Sequence, residues 1–173
     1  MCSSIMVNLD NLNLTGNRII LKKFTIREIN KKYMDWFSGK NSHLKYSQHN
    51  KKKYNRNTLL KYCVQFDNSR NFFLAIFDLK KKLIGTITVY IDKKKIGNLG
   101  ILIGDKNYLS KGYALESISL IIRYLFRKKT VNSIIMDTKK ENLKMINLMK
   151  NLNMKKIGSQ KPYSISYKIF NFL

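Results

Sequence analysis

Ile101 to Phe126 reads ILIGDKNYLSKGYALESISLIIRYLF, and two changes of pattern within it decide the fold. Apolar residues run up to Gly104 as the end of a strand. A polar loop follows, and Lys111-Gly112-Tyr113-Ala114 opens a long helix over Ala114–Arg127. In that helix Leu115, Ile118, Ile121, Ile122, Leu125 and Phe126 keep the spacing of one apolar face. A helix start presents backbone N–H groups with no intrahelical partner and about half a positive charge from the macrodipole. Gly112 lets the backbone approach a ligand closely, Lys111 adds charge, and the small Ala114 permits close helix–strand packing. Together they make a place for a phosphate or diphosphate. Neither G-x-x-x-x-G-K-[ST] nor G-x-G-x-x-G is present. Taken alone, the tetrapeptide also fits a plain loop-to-helix turn.

Upstream, Asn71–Phe77 (NFFLAIF) is a nearly continuous apolar run, Leu83–Ile91 (LIGTITVYI) alternates and is β-branched, and Ile96–Gly104 (IGNLGILIG) follows a short polar turn. These predict a three-stranded meander. Arg18–Phe24 predicts a first strand. Ile26, Ile29, Tyr33, Trp36 and Phe37 predict a helix over 26–37, and Asn57 is expected to cap a second helix carrying Leu59, Leu60, Cys63 and Val64. Downstream, Ser133–Thr138 predicts a strand, and Asn142–Leu152 a helix ended by Asn153, which tolerates the left-handed conformation. Residues 154–158 and 163–172 predict two closing strands. The order β α α β β β α β α β β describes an α+β domain with one mixed sheet and helices on its faces.

A length of 173 residues suits one domain spanning 1–173, with 1–16 expected to be irregular. The net charge is +24, mostly from lysine. The lysines are scattered (Lys22, Lys51, Lys80, Lys93, Lys128, Lys155) in a chain also rich in Asn and Ile, the profile that AT-rich codons produce. This argues against nucleic acid as the partner, while the field still favours anionic ligands. A basic nucleic-acid-binding module without catalysis is the alternative from another class, and it requires basic and aromatic residues clustered on one face. No apolar stretch approaches the ~20 residues of a membrane-spanning helix, and the first residues lack the pattern of a secretory signal. Cys2 and Cys63 give no disulfide framework or metal-ligand spacing, so no metal is expected and a reducing cytoplasm fits.

Three motifs in order resemble the GCN5-related N-acetyltransferase (GNAT) family. Leu109-Ser110-Lys111-Gly112-Tyr113-Ala114 is similar to its loop [Q/R]-x-x-G-x-[G/A], in a subgroup where the first residue is commonly replaced. Glu141 to Met149 resembles its E-N-x-x-[A/S/M]-I-x-L-[Y/M] helix, and Leu83-Ile84-Gly85-Thr86-Ile87 its third strand. The resemblance implies a mixed, mostly antiparallel sheet splayed between its fourth and fifth strands. It also implies acetyl-CoA as cosubstrate, lying in that gap. The diphosphate would then sit on Leu109–Ala114, the pantetheine on Asn142, and the pantetheine and acetyl carbonyl on backbone groups of Leu102, Ile103 and Gly104. The implied partner is a small-molecule amine, and a homodimer is compatible. Tyr33-Met34-Asp35-Trp36-Phe37 and its surroundings resemble the subgroup acting on nucleotide-linked amino sugars or on protein N-termini, with the amino sugar favoured here.

Catalytic residues stay unassigned. The position where many members hold a proton-donating Tyr is Met149, which has no proton to give; Tyr163 and Tyr113 are the substitutes at hand. Among carboxylates, Glu116 suits the helix dipole, Glu141 could cap its helix, and Asp105 either forms a turn or approaches the acetyl site. His43 and His49 have a suitable ordinary pKa for a base but read as exposed bystanders. Trp36, Tyr46 and Tyr54 could form a stacking wall, although helical spacing places Trp36 in the core. Met145 and Met149 read as packing.

Overall fold

The computed structural model describes residues 12–37, 54–67, 69–159 and 163–171. Its strands are β1 (Asn13–Thr15), β2 (Ile19–Lys23), β3 (Asn71–Asp78), β4 (Leu83–Ile91), β5 (Ile96–Ile103), β6 (Ser133–Lys139), β7 (Lys155–Gly158) and β8 (Ser164–Ile169). The helices are α1 (Lys31–Asp35), α2 (Arg56–Cys63), α3 (Tyr113–Arg127) and α4 (Leu143–Asn151). The strands form one sheet in the order β1-β2-β3-β4-β5-β6-β8-β7. Every neighbouring pair is antiparallel except β5–β6.

The continuous apolar run of β3 is explained by burial on both faces. Phe72, Leu74 and Ile76 enter one core, with α3 and α4. Phe73 and Ala75 enter a second, aromatic core with Phe24, Tyr33, Trp36, Phe37 and Phe66. Ile118, Ile121, Ile122 and Leu125 of α3 are completely buried. Each such side chain contributes roughly 2 kcal/mol relative to exposure.

The expected sheet and helices form, with three local corrections. A short strand, β1, lies within the segment expected to be irregular and pairs with β2. The predicted helix over 26–37 divides into a single 3-10 turn (Ile26–Glu28) and α1. Asn30 causes the division: its side chain accepts from the Tyr33 N–H at 3.0 Å and starts a new helix. The second helix is capped by Asn55, not Asn57; Asn55 Oδ1 accepts from the Thr58 N–H at 2.8 Å. Asn153 has φ 56° and ends the α4 segment as expected. Cys63 is half-buried, and burial with the nearby Glu28 charge pushes its thiol up to about 11.

The sheet opens at one place. β4 and β5 stay paired from Ile91↔Gly97 to Gly85↔Ile103. The parallel β5–β6 ladder joins only Ile96↔Ser133, Gly97↔Ile134 and Asn98↔Ile135. Beyond Asn98 the two strands diverge, and the rest of β6 continues beside β8 alone. With β1 counted, the splay predicted between the fourth and fifth strands falls between β5 and β6.

Candidate active site

The loop before α3 begins at Asp105, whose side chain accepts from the Asn107 N–H at 3.0 Å and starts a 3-10 turn, Lys106–Tyr108. Two residues then take left-handed backbone conformations, Ser110 (φ 57°) and Gly112 (φ 82°). Glycine adopts this conformation without strain, so Gly112 can reverse the chain directly into the helix. The first intrahelical bond runs from the Glu116 N–H to the Gly112 carbonyl at 3.0 Å. The N–H groups of Tyr113, Ala114 and Leu115 therefore have no carbonyl within α3 to bond.

Cations gather around this helix start. Lys144 Nζ donates to Ser110 Oγ at 3.3 Å, and Lys111 lies in the loop itself. Arg18 comes from the turn before β2. Its Nη1 donates to the Lys111 carbonyl at 2.9 Å, its Nε to Glu116 Oε2 at 2.8 Å, and its backbone N–H to Glu116 Oε1 at 2.7 Å. Glu116, read from sequence as a helix-dipole residue, is thus also the anchor of Arg18. The sequence reading missed Arg18 because its partners lie more than 90 positions away.

The gap between β5 and β6 has its own donors. The Gly104 N–H donates to the Ile84 carbonyl at 3.0 Å. Backbone polar groups alternate in direction along an antiparallel ladder. Those of Gly104, Leu102 and Gly100 accordingly face β4, while those of Ile103 and Ile101 face the side from which β6 departs. Of the three residues expected to present backbone groups there, Ile103 keeps that geometry. The Leu102 and Gly104 N–H groups are committed to β4, and the backbone groups of Ile101 share the direction of those of Ile103. Gly104 has a steric role instead: a Cβ at this position would lie 1.9 Å from the Trp36 ring. Trp36 is correspondingly core, 5% exposed.

Asp105 pairs with Lys82 at 2.9 Å and lies 3.5 Å from Lys32. Burial pushes its carboxyl up, but Lys82, the Asn107 N–H and Lys32 outweigh burial and hold it below the usual range. Of the two sequence readings of Asp105, the structure shows the turn, and its charge is already paired. Nearby, the Tyr108 hydroxyl donates to Asp78 Oδ2 at 2.6 Å.

A cavity of about 1000 Å³ runs along the opened face of the sheet. At one end it meets Tyr33, Tyr54, Tyr62 and Phe73. Burial pushes the Tyr33 and Tyr62 hydroxyls far above their usual value, so they are donors and not bases. Thr86, Thr88 and Asn98 line the middle. Asp137, Thr138, Glu141, Asn142 and Tyr163 line the other end. Asp137 takes a hydrogen bond from Ser166 Oγ and one from Asn98 Nδ2 at 3.5 Å. It was not singled out from sequence, although an aspartate after the buried run Ser133–Met136 was the available signal.

Asn142 is the N-cap of α4: its Oδ1 accepts from the Met145 N–H at 3.3 Å and its Nδ2 donates to Thr138 Oγ1 at 3.0 Å. Glu141, which was read as able to cap that helix, faces the cavity. Met149 is completely buried, as its packing reading requires, while Met145 reaches the cavity wall. Of the two substitute tyrosines, Tyr163 lines the cavity; Tyr113 lies under the Arg18 guanidinium, 4.7 Å from its ring centre. His43, His49 and Tyr46 lie outside the described residues. No group of three or more His, Cys, Asp or Glu able to hold a metal occurs among the described residues. No helix among them is long and apolar enough to cross a membrane.

The sheet is thus parted between two parallel strands, and a long helix starts beside the opening. A family model described as an acetyltransferase (GNAT) domain matches residues 18–155, and the chain belongs to that family. The uncharacterized N-acetyltransferase YnaD of Bacillus subtilis (strain 168) is 33% identical over 95 residues, which cover 53% of this chain and 54% of that protein. The match thus spans about half the length of this curated relative. Among solved structures, RimL, a ribosomal L7/L12 α-N-protein acetyltransferase in complex with coenzyme A, aligns with a TM-score of 0.81 at 10% identity, over 92% of this chain and 98% of that one. The ribosomal-protein-S5-alanine acetyltransferase of Vibrio fischeri aligns with a TM-score of 0.78 at 16% identity, over 92% and 97% of the two chains. At these identities the structural likeness concerns the fold.

Proposed function

We propose that the chain transfers an acetyl group from acetyl-CoA to a primary amine. The observation that carries this reading is the juxtaposition of free N–H groups at the start of α3 with the opening between β5 and β6. A diphosphate on Tyr113–Leu115, flanked by Lys111 and Lys144, leaves the pantetheine arm to run along Ile103 and Ile101. Their backbone groups alternate with the arm's amides and give the acetyl carbonyl an N–H donor. Asn142 bounds the arm on the β6 side; capping and the bond to Thr138 leave one Nδ2 N–H and one Oδ1 lone pair for the ligand.

The amine nitrogen attacks the acetyl carbon, the C–S bond breaks, and CoA leaves as the thiolate. Asp137 accepts the proton that the amine loses as its nitrogen becomes positively charged. Its hydrogen bonds from Ser166 and Asn98 fix its orientation. The Tyr163 hydroxyl, on the same cavity wall, gives a proton to the thiolate and regains one from solvent, to which Asp137 releases the proton it took.

The acceptor is a polar small-molecule amine, an amino sugar in nucleotide-linked form. Thr86, Thr88, Asn98 and Thr138 supply hydroxyl and amide partners along the cavity, and Tyr54 and Tyr62 offer faces for a ring. Two of the structural relatives act on ribosomal proteins by name, which makes a protein N-terminus the competing acceptor. A CoA-release assay with both classes decides. Turnover of amino sugars is expected, and turnover of N-terminal peptides alone would replace this acceptor. Asp137→Asn is expected to lower kcat by about a hundredfold with the KM for acetyl-CoA unchanged; an unchanged kcat removes Asp137 as the base.

A further inference from the structure

We infer that Arg18 is a positioning residue for the diphosphate loop, supplying from the β1–β2 turn the guanidinium that the loop's own side chains lack. The inference rests on the reading that the loop binds the diphosphate of the donor, and it assigns a role to a residue outside that loop.

The loop side chains, from Leu109 to Ala114, include no arginine and begin with an apolar leucine. Arg18 fills the space beside them. Glu116 takes two bonds from it, one from its backbone N–H and one from Nε, at 2.7 and 2.8 Å. A guanidinium held at its Nε edge by a carboxylate has its remaining N–H groups directed away from that carboxylate. Here Nη1 reaches the Lys111 carbonyl at 2.9 Å, and Nη2 lies 3.2 Å from where a Cβ on Gly112 would project. The guanidinium also lies over the Tyr113 ring, 4.7 Å from its centre. Arg18 therefore contacts Lys111 and Tyr113 and lies beside Gly112, at the point where the chain reverses into α3.

The approach is built into the backbone as well. In the turn that carries Arg18, the Gly16 N–H donates to the Ile19 carbonyl at 2.8 Å. A Cβ on Gly16 would stand 2.8 Å from Glu116 Oε1, so a larger residue there would displace the carboxylate that orients Arg18. Two consequences follow. Bonding by Arg18 keeps the Lys111 carbonyl turned away from the helix start, so that N–H groups alone face an anion. The guanidinium also holds N–H donors beside those groups, its charge balanced by the Glu116 carboxylate.

The role separates from general stability by the choice of donor. Acetyl-CoA carries the diphosphate, whereas S-acetyl-pantetheine carries the same thioester and arm without it. For Arg18→Ala and Arg18→Lys, the KM for acetyl-CoA is expected to rise about tenfold or more over the native protein, with kcat for S-acetyl-pantetheine and its KM unchanged. Lysine is expected to fail as a replacement because one ammonium cannot span Glu116 and the Lys111 carbonyl in a fixed plane. Gly16→Val, which leaves Arg18 in place but crowds Glu116, is expected to move the KM in the same direction. Equal loss with both donors would make Arg18 a structural residue only, and an unchanged KM for acetyl-CoA would remove it from the loop's function; either result overturns the inference. Failure of the native protein to bind CoA at all, seen by calorimetry, would instead overturn the reading of the loop.

Discussion

Gly104 and Trp36 illustrate how a single atom sets the shape of the site. The indole occupies the space where a side chain at 104 would be, 1.9 Å from an ideal Cβ. It closes the end of β5 next to the opening. Gly104→Ala is expected to destabilise the protein by about 1–3 kcal/mol through overpacking, read in urea unfolding, and Trp36→Leu combined with it is expected to recover part of that loss. A fully additive double variant would show that the two sites do not press on each other. At this scale, local residue types were legible in the sequence. Gly112 at the turn into α3 and the buried Trp36 follow from type and spacing, whereas the cap of α4 is Asn142 rather than Glu141. Arg18 and Asp137 were not, because what they do depends on partners brought together by the fold: Glu116 for one, Ser166 and Asn98 for the other. Leu102 and Gly104 were assigned to the gap for a related reason. Which of two successive N–H groups faces a neighbour depends on ladder register, and register is not written in a strand's composition.

The elements came out of hydrophobic period and capping chemistry, and apart from the short β1 the misreadings fall at two asparagines. Asn30 interrupts a helical apolar pattern because its side chain satisfies the Tyr33 N–H better as a cap than a continued helix would. Asn55 and Asn57 are both capping residues by type, and the bond to Thr58 selects the first. The turn that leads out of β5 is an element whose stability depends on pH. Asp105 has a folded-state pKa below its ordinary value because its partners outweigh burial. Its contribution is complete above the unfolded value of about 3.9 and is lost as pH falls through the lower folded value. Lys82 shifts upward, first through its hydrogen bond to Asp105. Its contribution is present below an unfolded value of about 10.4 and disappears as pH rises through the raised one. Urea unfolding between about pH 2.5 and 7 is therefore expected to show stability falling on the acid side, with a shallower fall in Asp105→Asn. Identical acid slopes in the two proteins would mean that the Asp105 pairing contributes nothing.

Across the whole molecule, the decisive feature is a sheet that stays closed on one side of β5 and opens on the other. Antiparallel pairing with β4 holds β5 along its length, while the parallel ladder to β6 ends at Asn98↔Ile135. Aromatic packing beneath α1 and α2 and aliphatic packing beneath α3 and α4 support the two faces. The net charge of +24 gives the molecule a field suited to an anionic donor, and its scattered lysines leave the choice of site to local geometry. That choice is tested most directly by calorimetric titration with CoA of the native protein and of Gly112→Val. A β-branched residue at φ 82° cannot hold this turn without strain, and its side chain would project toward the Arg18 guanidinium. The account predicts CoA binding by the native protein and a loss of about a hundredfold or more in the variant, with the far-ultraviolet circular dichroism spectrum retained. Equal CoA affinity in the two proteins would contradict it.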